Sequence, residues 1–371
     1  MNEYILDKPT PYYVIDERLI VKNLNILRSV KERTGCKILL AQKAFSCFHL
    51  YPRIAEYLDG VTASGLFEAR LGHEKFRKEN HVFSAAYRDE DMDEINDICD
   101  YVVFNSFGQL RKFAPKMTKK LGLRINPQVS TQKKDIYDPC APFSRLGARI
   151  SEFEKNEDML EHISGLHFHT LCGQNADALE ATLQGAEKSF SEYFDKIEWI
   201  NFGGGHHITR SDYDIELLIS LINEFRDRYD VQIYLEPGEA VVLNAGFLVT
   251  SVLDIVENIK RIAITDTSAA CHMPDVIEGP YRPRVIGEGG THKYRLTGCT
   301  CLAGDIIGDY SLHNELNIGD KVVIEDMALY TMVKNNTFNG INLPSIHKLD
   351  TDGKPSEIKS FGYGDFIGRL G

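Results

Sequence analysis

Lys37-Ile-Leu-Leu-Ala-Gln-Lys-Ala-Phe45 is a short apolar run that ends on a lysine set among apolar neighbours. The run Lys37–Ala41 has the length of a strand, and it opens a series. Gly60–Ala63, Val82–Ser84, Tyr101–Phe104, Leu121–Ile125, Gly165–His169, Trp199–Phe202 and Gln232–Leu235 are the seven runs that follow. Between them lie Leu66–Phe76, Asp91–Ile98 and Ala176–Phe190, where apolar residues recur every three or four positions as on the buried face of a helix. Eight strands, each followed by a helix, is the count for a closed (β/α)8 TIM-like barrel. The alternative is an open doubly wound sheet, which would place a Gly-x-Gly-x-x-Gly turn after the first strand; the sequence has none.

After about residue 246 the pattern changes. Phe247–Val256, Arg261–Thr265, Lys293–Thr297, Lys321–Glu325 and Ala328–Val333 are β-branched or aromatic runs separated by turns. The α/β chain is therefore expected to hold a barrel over residues 17–245 and a mostly β domain over 246–371. The early run Tyr12–Ile15, within residues 1–16, is assigned to that second domain.

A length of 371 residues suits two domains. Hydrophobic residues at 43% and charged residues at 26% are the balance of a globular protein. No apolar run is long enough to span a bilayer, and Met1 to Pro9 lacks the basic-then-apolar pattern of a secretion signal, so a cytoplasmic location is expected. The net charge of −12 argues against nucleic acid and anionic membranes as partners and is compatible with a cationic substrate. Cys36, Cys47, Cys99, Cys140, Cys172, Cys271, Cys299 and Cys301 show no repeated zinc-type spacing, and most read as small buried apolar residues.

Active sites in such barrels lie at the C-terminal ends of the strands. Lys43, Ser64, Arg124, His169, Gly203-Gly204-Gly205 and Glu236 fall at those ends. Among apolar neighbours Lys43 loses hydration, its pKa falls, and its amine becomes a nucleophile toward an aldehyde; periodicity alone favours a snorkelling surface lysine, and the rest of the set reverses that reading. The three glycines let backbone N–H groups approach an anion, or they serve a tight turn. Glu236 is placed to keep a pyridine nitrogen protonated or to sit in a structural ion pair. His169 is either a core histidine or a flat ring for stacking. The pair His206-His207 lacks a cysteine or carboxylate at metal spacing, so no metal is expected.

With these residues in view, the chain resembles the fold-type III pyridoxal-phosphate (PLP) decarboxylases, the alanine racemase-like group of eukaryotic ornithine decarboxylase and diaminopimelate decarboxylase. Within it, the branch acting on carboxynorspermidine and carboxyspermidine is the most similar. The resemblance runs from Thr10-Pro-Tyr-Tyr-Val14 to Thr337-Phe-Asn-Gly-Ile-Asn-Leu-Pro344. It rests on Tyr137-Asp-Pro-Cys140, Ser144-Arg-Leu-Gly147, Gly165-Leu-His-Phe-His-Thr-Leu-Cys172, Asn201-Phe-Gly-Gly-Gly-His-His-Ile-Thr209, Leu235-Glu-Pro-Gly-Glu-Ala240, His272-Met-Pro-Asp275 and Gly298-Cys-Thr-Cys-Leu-Ala-Gly-Asp305. The resemblance implies that Lys43 carries pyridoxal 5′-phosphate, that His169 stacks on its ring, that Gly203, Gly204 and Gly205 hold its phosphate, and that Glu236 meets the ring nitrogen. Tyr330 resembles the tyrosine that reaches the phosphate. Cys301 is similar to the cysteine that reprotonates the product across a dimer interface, so a homodimer with shared active sites is implied.

Two positions depart from the ornithine and diaminopimelate enzymes. Where those carry an acid after the cysteine, this chain has Leu302; where they carry a phosphate-holding base after Glu-Pro-Gly, it has Glu239. An acid cannot bind phosphate but can bind ammonium, and Asp275 supplies a second carboxylate. Glu239 and Asp275 are therefore expected to bind the amines of a polyamine substrate, making the activity decarboxylation of carboxynorspermidine or carboxyspermidine in polyamine biosynthesis. The alternatives are a decarboxylase of meso-diaminopimelate or ornithine, and a PLP-dependent racemase. Glu236 argues against the racemase, because a carboxylate at the ring nitrogen draws the carbanion charge fully into the ring. A PLP carrier would leave the β domain and Cys301 without purpose, and a nucleotide-binding protein would need the absent Gly-x-x-x-x-Gly-Lys motif.

Overall fold

The computed structural model describes residues 3–371. Two compact units divide the chain: Asn23–Val241, and Met1–Lys22 together with Val242–Gly371. Its strands are β1 (Tyr12–Asp16), β2 (Lys37–Ala41), β3 (Gly60–Ala63), β4 (Glu79–Phe83), β5 (Tyr101–Phe104), β6 (Lys120–Arg124), β7 (Gly165–His167), β8 (Trp199–Asn201), β9 (Gln232–Leu235), β10 (Gly246–Asn258), β11 (Lys260–Thr265), β12 (Glu288–Thr297), β13 (Ile306–Leu312), β14 (Lys321–Glu325), β15 (Ser345–Leu349) and β16 (Pro355–Lys359).

In the first unit β2 to β9 form a closed parallel barrel. β9 returns to β2 through the pairs Lys37↔Tyr234 and Ile38↔Leu235. Successive side chains on a strand point to opposite faces, so every second residue enters the barrel. One interior cluster joins Leu39, Val103, Trp199 and Tyr234, with Phe83 and Tyr101 packed against it. Tyr101 meets Trp199 edge-on at 5.2 Å between ring centroids. The indole fits only because two facing strands carry glycine: a Cβ added at Gly165 would stand 2.0 Å from the indole ring, and one at Gly122 would stand 2.5 Å from it. The indole N–H donates to Ser164 Oγ at 3.0 Å, so the large ring is buried without an orphaned donor.

Counting two residues on from this layer gives the next inward-facing layer. Gly122 leads to Arg124, Gly165 to His167, Trp199 to Asn201 and Tyr234 to Glu236, while Leu39 leads through Ala41 to Lys43. An aromatic floor therefore underlies a polar layer at the C-terminal mouth.

The second unit is a mixed eight-stranded sheet ordered β13-β12-β11-β10-β1-β15-β16, with β14 also on β10. β1 runs antiparallel to β10 and parallel to β15. The 13-residue β10 serves three partners, β1 over Gly246–Val249, β14 over Phe247–Ser251, and β11 from Val252 to Asn258 with a register shift between Val252 and Asp254. Such a shift bends a strand and lets one chain turn from one part of a sheet to another.

Two expectations need correction. Ala328–Val333 is not a strand but a series of bends and turns after β14. Tyr330 there has φ +54°, in the left-handed region, which breaks the extended backbone a ladder requires. Of the eight cysteines, only Cys36, Cys99 and Cys271 are buried, while Cys172, Cys299 and Cys301 are exposed. Composition ranks cysteine among buried residues, but loop position decides the individual case. Among the described residues no helix is long and apolar enough to cross a membrane.

Gly165→Ala is expected to destabilise the barrel by about 1–3 kcal/mol, because the added methyl overpacks the Trp199 ring. Trp199 is the sole tryptophan, so urea unfolding followed by its fluorescence checks this directly; an unchanged midpoint would mean that the floor can repack.

Candidate active site

Glu236 lies one step past β9 and is buried. On the adjacent strand Asn201 donates from Nδ2 to Glu236 Oε1 at 2.7 Å. Asn201 Oδ1 accepts the Gly203 N–H at 2.8 Å, so one side-chain amide ties the carboxylate to the glycine turn. His167 Nε2 approaches the other oxygen at 3.4 Å. Burial opposes ionisation of Glu236, but His167 and Asn201 outweigh it and hold its pKa at about 2. The group is a fixed anion facing the mouth.

Lys43 follows β2 on the tight turn that leaves the barrel. Solvent reaches its side chain, yet burial is the largest influence on its pKa, which is lowered; Arg124 adds to the effect and Glu236 opposes it. Burial also lowers Arg124, to about 10. Its guanidinium lies over the Phe83 ring at 4.6 Å and donates to the His169 carbonyl at 2.9 Å.

His169 is locked by the glycine turn: the Gly204 N–H donates to its Nδ1 at 2.8 Å. That bond leaves the proton of the neutral ring on Nε2. Burial, followed by the charges of Lys43 and Arg124, pushes His169 well below the ordinary histidine value, so the ring is neutral. Gly203 and Gly205 adopt φ +73° and +82°. Side chains are excluded there on space as well, because an added Cβ would stand 2.4 Å from Phe168 O at Gly203 and 2.0 Å from Leu171 O at Gly205. The Gly203 and Gly204 N–H groups are thus spent on Asn201 and His169, whereas those of Gly205 and His206 meet no protein acceptor among the described residues.

His206 is buried, with its pKa lowered to about 4 by that burial. His207 Nε2 is hydrogen-bonded to the Glu239 carboxylate. Ser64 is exposed, and its N–H donates to Glu68 at 2.6 Å, so it shapes the start of a helix rather than the mouth. Among the described residues no three His, Cys, Asp or Glu are grouped to hold a metal ion.

The structure thus brings Lys43, His169, Gly203, Gly204, Gly205, Glu236 and Glu239 together within the barrel unit. Cys301, Tyr330 and Asp275 belong to the sheet unit. Cys301 is exposed on the loop between β12 and β13, where its N–H donates to Asn339 Oδ1 at 2.7 Å. Buried Asp305 shapes that loop by accepting from Ala269 N–H at 2.7 Å and Thr300 Oγ1 at 2.5 Å. Tyr330 is half-buried. Asp275 is ion-paired with Lys334, which also binds Glu278.

The sequence reading passed over His167 and Asn201. Period-two alternation would have found both, since Asn201 stands two residues past Trp199 and His167 two residues past Gly165 of the same layer.

The family model described as pyridoxal-dependent decarboxylase, C-terminal sheet domain, matches residues 12–328. The chain is 46% identical to the carboxynorspermidine/carboxyspermidine decarboxylase of Campylobacter jejuni, over 96% of this chain and 97% of that one. It is 40% identical to the carboxyaminopropylagmatine decarboxylase of Synechocystis, over 100% of this chain and 97% of the relative. The crystal structure of carboxynorspermidine decarboxylase from Campylobacter jejuni, complexed with norspermidine, shares the fold with a TM-score of 0.92 at 44% identity, covering 98% of this chain and 100% of that one.

Because Glu236 has a folded-state pKa below its unfolded value, the native state holds fewer protons than the unfolded chain in acid, and stability falls as pH drops from about 4.5 toward 2. Between pH 6 and pH 3 the native protein is expected to lose about 2 kcal/mol more than Glu236→Gln. Urea unfolding of both proteins at the two pH values measures the difference, and parallel losses would remove Glu236 from the acid response.

Proposed function

Because this chain belongs to the pyridoxal-dependent decarboxylase family, we propose that it is a cytoplasmic homodimer that decarboxylates carboxynorspermidine and carboxyspermidine to norspermidine and spermidine. The observation that supports the reading is a carboxylate just beyond Glu236: Glu239 opens the short helix after β9 and is hydrogen-bonded to His207, which follows the glycine turn. The full-length likeness to an enzyme named for these substrates supports it.

Lys43, His169, Gly203, Gly204, Gly205, Glu236 and Tyr330 are the residues that would hold pyridoxal 5′-phosphate. The donor set suits it: a lysine with a lowered pKa, a fixed carboxylate, a neutral flat imidazole, and a turn with no room for side chains. When bound, the cofactor supplies the electron sink for the pair left behind as the substrate's carboxylate departs. Lys43 contributes an amine whose hold on its proton is weakened, because burial leaves its charged form poorly solvated, and that favours its action as a nucleophile. Glu236 remains anionic throughout, stabilising positive charge on a group placed beside it. Cys301 holds the thiol proton that is delivered to Cα, and the homodimer brings it to the neighbouring subunit's lysine. Glu239 and Asp275 bind the ammonium groups of the chain, and Asp275 exchanges Lys334 for substrate as it does so.

The deciding measurement is CO2 release by PLP-loaded protein with carboxynorspermidine, carboxyspermidine, carboxyaminopropylagmatine, meso-diaminopimelate and ornithine. Turnover of the first two above the others is expected; preference for any of the remaining three would replace the substrate assigned here. Glu239→Ala and Asp275→Ala are each expected to raise KM with the cofactor still bound, and unchanged kinetics would remove that residue from the site. Lys43→Ala and Cys301→Ala are each expected to be inactive, and an equal mixture re-associated as dimers is expected to recover about a quarter of native activity. No recovery would count against sites shared between subunits.

A further inference from the structure

His207 has no part in the chemistry assigned above, yet it is held in place from several sides. It follows the Gly203–Gly205 turn, and its backbone N–H donates to the Gln174 carbonyl at 3.2 Å while its own carbonyl accepts from Arg210 at 2.9 Å. Its ring faces Gly173, where an added Cβ would stand 3.6 Å from Nε2. Its Nε2 is bonded to Glu239 Oε2, and the two side chains are only 16% and 24% exposed. Its Nδ1 is buried with no partner among the described residues.

We propose that His207 is a positioning residue that sets substrate specificity: it orients the Glu239 carboxylate so that the remaining oxygen receives the secondary ammonium of the polyamine chain. The inference rests on the polyamine reading. A carboxylate has lone pairs for several donors, and His207 engages only one of the two oxygens; Glu239 Oε1 has no hydrogen-bond partner among the described residues. A free glutamate would lose its rotamer freedom each time substrate bound, and a prior bond to a clamped imidazole removes that cost before binding. The amine selected follows from position. Glu239 stands three residues past Glu236 and is bonded to His207 just beyond the Gly203–Gly205 turn, so it lies toward the reacting end of the substrate. The first chain amine met beyond the α-carbon is the secondary one, and the terminal amine lies farther out.

Norspermidine and 1,7-diaminoheptane, which replaces the secondary amine by a methylene in a chain of the same length, separate this role from general polyamine attraction. Their Kd values would be measured by calorimetry on PLP-loaded native protein, His207→Leu and His207→Gln, alongside KM and kcat for carboxynorspermidine. Native protein is expected to prefer norspermidine by about tenfold or more, and His207→Leu to lose that preference and raise KM by about tenfold while kcat changes less. His207→Gln, which keeps a donor for the carboxylate, is expected to restore both. Trp199 fluorescence and cofactor absorbance report whether each variant is folded and loaded. Equal affinity of native protein for the two amines, a preference retained by His207→Leu, or no rescue in a folded His207→Gln would each overturn the role of His207 and leave the decarboxylase reading intact. Failure of native protein to turn over any carboxypolyamine would overturn both.

Discussion

The indole of Trp199 lies in space that Gly122 and Gly165 leave empty, and the layer it fills sets the height of everything above it. With Leu39, Val103 and Tyr234 it makes a floor that is closed to water. Each strand then has about one further inward-facing position before the barrel ends. Those positions carry Arg124, His167, Asn201 and Glu236, so the polar layer is shallow, rests on a rigid base, and opens on one side only. Preorganisation of this kind follows from packing, because the strands cannot slide without dislodging the indole.

The same burial acts oppositely on the groups in that layer. It resists charge of either sign, so a group keeps its charge only where partners compensate. Glu236 has Asn201 and His167 and stays ionised. His169 accepts a backbone N–H and sits among cations, so it stays neutral. Lys43 shares its surroundings with Arg124, and its pKa falls. An anion, a neutral ring and a lysine with a weakened hold on its proton thus stand within one mouth through differences in partners alone. This arrangement suits the chemistry of the family to which the chain belongs.

Much of the fold was legible because the barrel strands are short apolar runs with regular spacing. Four of the eight, Lys37–Ala41, Gly60–Ala63, Tyr101–Phe104 and Gln232–Leu235, begin and end at the residues read from the sequence. β4 starts three residues before the expected Val82, and β7 ends at His167 rather than His169, since hydrophobic content does not report where a ladder stops. Ala328–Val333 misled for a related reason. Its residues favour strands, but β-propensity describes fit to a pleated surface, and here the backbone turns at Tyr330. The exposed cysteines show the same limit, because burial belongs to a position and not to a residue type.

Local order along the chain determined the barrel, the β-rich second half, and the reactive residue types at the strand ends, because period-two and period-3.6 patterns are properties of neighbouring residues. Tertiary structure alone decided who pairs with whom. Asn201 meets Glu236 from 35 positions away, His207 meets Glu239 from 32, and Lys334 meets Asp275 from 59. A single sequence marks each of these groups as charged or polar but says nothing of its partner. The partner is set by which strands and loops closure of the chain brings side by side, and the partner in turn fixes charge, orientation and availability to a ligand.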